Sequence, residues 1–264
     1  MPLRIAKSGS TIATFRIIDI DNDAFNFLTA AGITNTTQRN AINKLVIDLK
    51  YYGLWTKQKA LYPVVGGTSA AHAVNLKTPG TYNLTFSNGW THTSTGMTPA
   101  SAYADTGLNT LTVLPQVNNA AYGLYSRTNR GPNDGFQMGN FQSGIGYNLF
   151  ILKDTNGNIR NTINSTALMS YTNSDTTGFY QMSRISSTTI LNSRNTIITN
   201  TTVNSTGTPN CNFYLGARNN MGTVDAYDSV QIAFFYISTN LTADEMTSMN
   251  NIVQQYQTNL GRQV

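Results

Sequence analysis

Asn148–Ile163 reads NLFILKDTNGNIRNTI, two strand-like runs on either side of Asn156-Gly157. A tight two-residue turn needs positive φ at both central positions, and Asn-Gly accommodates that best. The stretch therefore predicts a β-hairpin. The same grammar spreads outward from it. YNLTF (82–86) alternates Tyr82, Leu84 and Phe86, and TLTVL (110–114) sets Leu111 and Val113 against threonines. GFYQMSR (178–184), TTILNSRNTIIT (188–199), NFYLGAR (212–218) and SVQIAFFYIS (229–238) continue the pattern. Many short strands with Gly and Asn at their turns predict an antiparallel β-sandwich of two sheets, of jelly-roll type, from about Pro63 onward. No period repeats, which excludes a propeller or solenoid.

Both ends of the chain follow helical rules instead. In DIDNDAFNFLTAAGITN (19–35), Asp21 is placed to cap a short helix carrying Phe25 and Leu28, and Gly32 to stop it. In the next stretch Asn35 is an N-cap with Gln38 three residues on, and Ile42, Leu45, Val46 and Leu49 share one face before Gly53. Two helices joined through Gly32 predict a helical hairpin. The division expected is 1–62 as an N-terminal segment with that hairpin and 63–264 as the jelly roll with a C-terminal helix. In LTADEMTSMNNIVQQYQTNLGRQV (241–264), Thr242 and Glu245 form a T-x-x-E capping box, and Met246, Met249, Val253, Tyr256 and Leu260 mark one face.

Composition narrows the function. Only 11% of the 264 residues are charged, against about 25% in ordinary domains, and Asn and Thr fill much of the gap. The net charge is +5, but Lys57 and Lys59 form the densest basic pair while Arg160, Arg184, Arg194 and Arg218 stand apart. No nucleic-acid partner is expected, because a basic patch is the electrostatic footprint of such binding. No run approaches the roughly eighteen apolar residues of a membrane span. The opening stretch MPLRIAKSGSTIATFRIIDID is interrupted by Arg16 and reads as no secretory signal. The single cysteine, Cys211, reads as a small apolar residue in or beside a strand.

Catalysis finds little material. The only glutamate, Glu245, is explained by its cap, leaving eleven aspartates as the other acids. Asp19, Asp21 and Asp23 stand at a helix start and Asp154 in a turn. Asp225 and Asp228, in TVDAYDSV, are the one pair near enough in sequence to suggest the two carboxyl groups of a glycosidase. Turn chemistry is the favoured reading of them. His72 and His92 lack a neighbouring carboxylate or serine motif, and with one distant cysteine they make a poor metal set. DTNGN (154–158) resembles the start of a calcium loop but has Ser165 where the bidentate glutamate belongs. The chain reads as no enzyme, with no cofactor and no metal.

Several stretches resemble tailed-bacteriophage virion structural proteins: Phe27–Pro79, GWTHTSTG with YADTGLN (89–96 and 103–109), and the ending YQTNLGRQV (256–264). The resemblance implies a concanavalin A-like (laminin-G-like) jelly roll behind a helical lead-in and closed by a C-terminal helix. It implies a non-enzymatic fibre, spike or decoration subunit of head or tail, located in the virion and assembled in the host cytoplasm. Its partners would be other virion proteins, further copies of itself, and in a second reading a host-surface glycan. For sugar binding the candidates are Trp90 and His92 in NGWTHT and Tyr122, Tyr125 and Arg127 in AAYGLYSRTNR. The competing reading has Trp90 and the tyrosines filling the core, where large aromatics usually lie.

Overall fold

The computed structural model describes residues 20–264; the readings of the opening stretch and of Asp19 fall outside them. Helices α1 (Asn22–Ala30) and α2 (Thr36–Tyr51) come first, then strand β1 (Gln58–Tyr62) and the short helix α3 (Ser69–Ala73). Strands β2 (Thr85–Phe86), β3 (Trp90–Thr93), β4 (Gly96–Pro99) and β5 (Ala104–Asn109) lead into a one-turn helix, α4 (Thr110–Val113). Next come β6 (Ala120–Ser126), β7 (Met138–Gln142), β8 (Gly146–Ile151), β9 (Asn158–Ser165) and β10 (Met169–Thr172). The chain continues through β11 (Gly178–Arg184), β12 (Thr189–Arg194), β13 (Ile197–Thr202), β14 (Asn212–Leu215), β15 (Arg218–Asn220), β16 (Thr223–Asp225) and β17 (Ile232–Ser238) to α5 (Ala243–Asn259).

The protein is mainly β, a sandwich of two antiparallel sheets with few helices. The first sheet runs β13-β12-β11-β6-β17-β4-β3, with β1 also on β17. The second runs β10-β9-β8-β7-β14-β5-β2, with β15 and β16 attached. Among the described strands, the contact of β15 with β7 is parallel and the other pairings are antiparallel. The hairpin read from NLFILKDTNGNIRNTI is β8 and β9, but its connection is longer than two residues and of Asn156-Gly157 only the glycine takes positive φ. Its turn is held by the Asp154 carboxylate, which accepts from the backbone N–H of Asn156 and of Asn158, each at 2.9 Å.

Two apolar layers lie on the two faces of the first sheet. Between the sheets sit Tyr62, Met97, Tyr122, Leu124, Phe150, Ile163, Phe213 and Phe235. On the opposite face Tyr125, Phe179, Phe234 and Tyr236 pack against α1, α2 and α5. A sheet covered on both faces cannot alternate in polarity, and β6 and β17 are buried at every position. Gly123 is required there: a Cβ would come within 2.3 Å of the Tyr236 ring. The space between the sheets also uses the protein's surplus of asparagine. Asn161 donates to Asn192 across the sandwich at 3.0 Å, and Asn148 donates to Asn140 at 3.0 Å. Such pairing removes most of the cost of burying amides.

The helix ends match their caps. Asp21 and Asn35 cap α1 and α2, and Gly32 and Gly53 adopt positive φ. Thr242 and Glu245 form the reciprocal capping box of α5. That helix lies on its own sheet: Gln181 of β11 donates to the carbonyl of Met246, and Ser183 donates to that of Leu241. Beyond it, buried Arg262 donates to the Gln257 side chain and to the carbonyls of Val64, Pro63 and Ala233. One guanidinium thus ties the chain's ending to the loop after β1 and to β17.

Other expectations need correction. Thr110–Leu114 is no strand: the Asn109 side chain accepts from the N–H of Thr112, nucleating the single turn of α4 and leaving Leu111 exposed. Of Tyr82–Phe86 only Thr85–Phe86 is strand, because Tyr82 takes φ +56° and turns the chain. Phe27, not Phe25, joins Leu28 in the core, and Phe25 is 51% exposed. TTILNSRNTIIT is two strands, β12 and β13, folded at Asn195 (φ +51°). Residues 58–62, assigned by sequence to the N-terminal segment, pair with β17 as part of the first sheet.

Candidate functional site

The five sugar-binding candidates do not converge. Tyr122 and Tyr125 stand three residues apart on β6 and therefore face opposite sides of the sheet. Tyr122 is stacked on Phe213 between the sheets, centroids 4.8 Å apart. Tyr125 lies under the helices, its hydroxyl bonded to the backbone of Val264. Both are fully buried and offer no face to a ligand. Arg127 is held by the carbonyl of Arg262 and the side chain of Gln231. Trp90, half-buried on β3, donates from Nε1 to the carbonyl of Tyr103 at 3.0 Å and packs against the inter-sheet core. Trp90 closes the sandwich where β3 and β2 form its edge.

His92, on the same strand, meets His72 of α3 with their Nδ1 atoms 2.9 Å apart. Nothing in the sequence joined these two histidines. Their ring centroids are 5.1 Å apart, almost the full sum of the N···N distance and the two ring radii, so the nitrogens point at one another. That is the geometry of an N–H···N bond. A metal between two opposed nitrogens would need about 4 Å, twice the usual Zn–N length. Among the described residues no group of three or more His, Cys, Asp or Glu is placed to hold a metal ion. Burial first, then His92 and Arg262, pull the His72 pKa down to about 3. Burial lowers that of His92 as well.

The surface best built for a polar ligand is on the second sheet. On β5 and the residue before it, Tyr103, Asp105 and Gly107 alternate with buried Ala104, Thr106 and Leu108. Asp105 pairs with Tyr214 of β14 on one side and with Thr85 on the other. Tyr103 and Tyr214 stack with centroids 4.7 Å apart at 20°. Tyr214 is nearly buried beneath, and Tyr103 is half-exposed. Burial and then the Asp105 charge push the Tyr214 hydroxyl up to about 12, so it stays a donor at neutral pH. The Asp105 carboxylate accepts from the backbone of Gly107 at 2.7 Å and from the Asn212 amide at 3.2 Å, and among the described residues no cation forms an ion pair with it. Asn109 and Asn210 join their side chains beside it. The patch presents an aromatic face, a carboxylate and several amides. The alternation of YADTGLN was the available signal, with Tyr103 and Asp105 falling on one face.

The named acids are otherwise engaged. Asp225 forms a two-bond pair with Arg218 (2.6 and 2.7 Å), and that guanidinium lies over Phe136 and Phe141. Asp228 faces buried Arg130 at 2.7 Å and accepts from the N–H of Val230. Arg130 also donates to the carbonyls of Asn133 and Lys153, pinning the loops over the second sheet. Glu245 adds a contact with Lys57 to its cap.

No family model and no curated protein matches the chain. Solved structures do. The receptor-binding domain of botulinum neurotoxin C/D mosaic serotype aligns with a TM-score of 0.54 at 10% identity, over 75% of this chain and 51% of that one. A structure of botulinum neurotoxin type C, described by the dependence of its cell entry on two ganglioside molecules, aligns at 0.56 and 10%, over 77% and 53%. A Trypanosoma rangeli sialidase mutant with trans-sialidase activity aligns at 0.52 and 9%, over 81% and 39%. The chain spans about half the length of the neurotoxin domains and less of the sialidase. At these identities the likeness is one of fold: the chain shares the two-sheet β-sandwich of these domains.

Proposed function

We propose that the chain is a non-enzymatic glycan-recognition module of a tailed-bacteriophage virion, a concanavalin A-like jelly roll turned toward sugars of the host surface. The observation that carries this reading is the patch around Tyr103. A sugar ring stacks its C–H face on an aromatic ring, and its hydroxyls pair with carboxylates and amides. Tyr103 supplies the ring, Asp105 and Asn212 the polar partners, and Tyr214 the backing that fixes the ring's orientation. The ganglioside dependence named for the neurotoxin type C structure supports the same use of a similar sandwich. Engagement of Asp225 and Asp228 by two different arginines supports a role without turnover.

A bacterial-surface glycan array tests the proposal. Binding by the native protein should fall at least ten-fold in both Tyr103→Ala and Asp105→Asn, with thermal unfolding little changed. An array on which the native protein binds nothing, or binding that survives both substitutions, rejects it.

A second reading, an architectural subunit contacting other virion proteins or its own copies, draws on the helical layer. Phe25, Ile47, Tyr51 and Tyr52 project from α1, α2 and the end of α2 into solvent, with Tyr51 81% exposed. Exposed apolar groups on a helical pair commonly mark a contact surface. Imaging of an intact particle would place this helical pair, which the reading takes as the lead-in hairpin, against a neighbour or away from one.

A further inference from the structure

α3 is a single short turn, capped by Thr68 and carrying His72 into the interior. The loop before it presses on the β3–β4 turn so closely that a Cβ on Gly67 (φ +74°) would lie 3.3 Å from the Ser94 nitrogen. His92 comes from β3, the terminal strand of the first sheet. Side chains on two separate segments therefore meet through one N–H···N bond, next to Phe86 and Trp90, which cover the edge of the inter-sheet core.

We propose that the His72–His92 contact is a proton-operated latch, closed while both imidazoles are neutral and released by acid, which frees α3 from the edge strand and unseals the sandwich beneath Phe86 and Trp90. In the closed state one Nδ1 donates and the other accepts. A first added proton puts a positive charge in a site where, among the described residues, no acidic group acts on His72. The titratable and charged groups acting on His72 are His92 from β3 and the Arg262 guanidinium from the chain's ending, and both oppose the proton. A second proton places hydrogen on both facing nitrogens and breaks the bond. Nε2 of His72 is buried without a partner among the described residues, so none of them rewards its protonation.

The sign follows from linkage. Both histidines resist protonation in the closed form, while a released imidazole binds a proton near its ordinary pKa of about 6.5. The closed form is therefore favoured above that pH and progressively disfavoured as the pH falls below it. For His72 alone each pH unit shifts the balance about ten-fold, and the shift continues until the pH nears 3, where His72 would titrate in place.

The chain has two histidines, so nitrogen-detected NMR of the imidazole side chains follows both directly. The expected result is one bonded neutral pair at pH 7.5. Backbone exchange at 69–73 and 90–93, corrected for intrinsic rates, should rise about a hundred-fold from pH 6.5 to 4.5 relative to strands β6 and β11. His72→Phe, which fills the buried position with a ring that binds no proton, should abolish most of that rise. Imidazoles that titrate near 6.5 in the intact fold overturn the proposal. So does an acid-induced rise that persists in His72→Phe. If that variant does not fold, the imidazole titration of the native protein decides alone.

Discussion

The two sheets share one inner layer and differ in what covers their outer faces. Helices roof the first, burying Phe179, Phe234 and Tyr236 beneath Met246, Met249, Val253 and Tyr256. Over the second sheet the apolar cover among the described residues is a small cluster around Phe136, Leu149 and Ile151, and Tyr103, Asp105 and Asn212 are half-exposed. The cover decides which chemistry each outward position can hold. Under a helix an outward residue must be apolar, or, like Gln181 and Ser183, spend its polar atoms on the helix itself. On the open sheet a tyrosine can sit beside a carboxylate with water as the third partner.

If that contrast is right, substitutions under the roof should cost far more stability than those on the open sheet. Phe234→Ala removes a fully buried ring beneath α5 and should destabilise by about 3–5 kcal/mol in urea unfolding; a loss under about 1 kcal/mol would mean the helices barely contribute. Arg262→Met should cost about 3 kcal/mol, because the carbonyls of Pro63, Val64 and Ala233 lose their donor while buried. Survival of the native melting temperature would break the idea that the chain's ending is a structural clamp.

Glu245→Ala should cost about 1 kcal/mol through the cap of α5. Burial opposes the charge on Glu245, but Lys57 and Thr242 outweigh it and hold the carboxyl below the ordinary range. Its stabilisation is present above the unfolded pKa and lost as the pH falls through the folded one. Glu245→Gln, which preserves a capping box, should lose less at neutral pH and flatten that acid dependence. Tyr103→Ala, on the open sheet, should change stability by less than about 1 kcal/mol while removing glycan binding. A large stability loss there would show Tyr103 to be core and not contact surface.

Local devices were legible in the sequence because they involve neighbours in the chain. Asp21, Asn35 and the Thr242–Glu245 box cap the helices that their spacing predicts, and Asn156-Gly157 closes its hairpin. Alternation misled at Thr110–Leu114, where one side-chain cap at Asn109 won over strand periodicity. The candidate site was harder. Tyr122 and Tyr125 look alike in sequence to Tyr103: Tyr125 is separated from it by the helical roof over β6, and Tyr122 by facing between the sheets. The His72–His92 contact spans 20 residues between a loop helix and a sheet edge, and no local pattern encodes such a meeting.

The hairpin turn that organises the second sheet also bears on how the molecule ages. Deamidation of an Asn-Gly pair begins when the glycine nitrogen attacks the asparagine side chain. Here the Gly157 N–H donates to the Asp154 carbonyl at 2.9 Å, holding that nitrogen in the turn. Mass spectrometry of stored protein should find Asn156 intact in the folded state and rapidly converted in urea, making this dipeptide a clock that runs only when the β8–β9 turn opens.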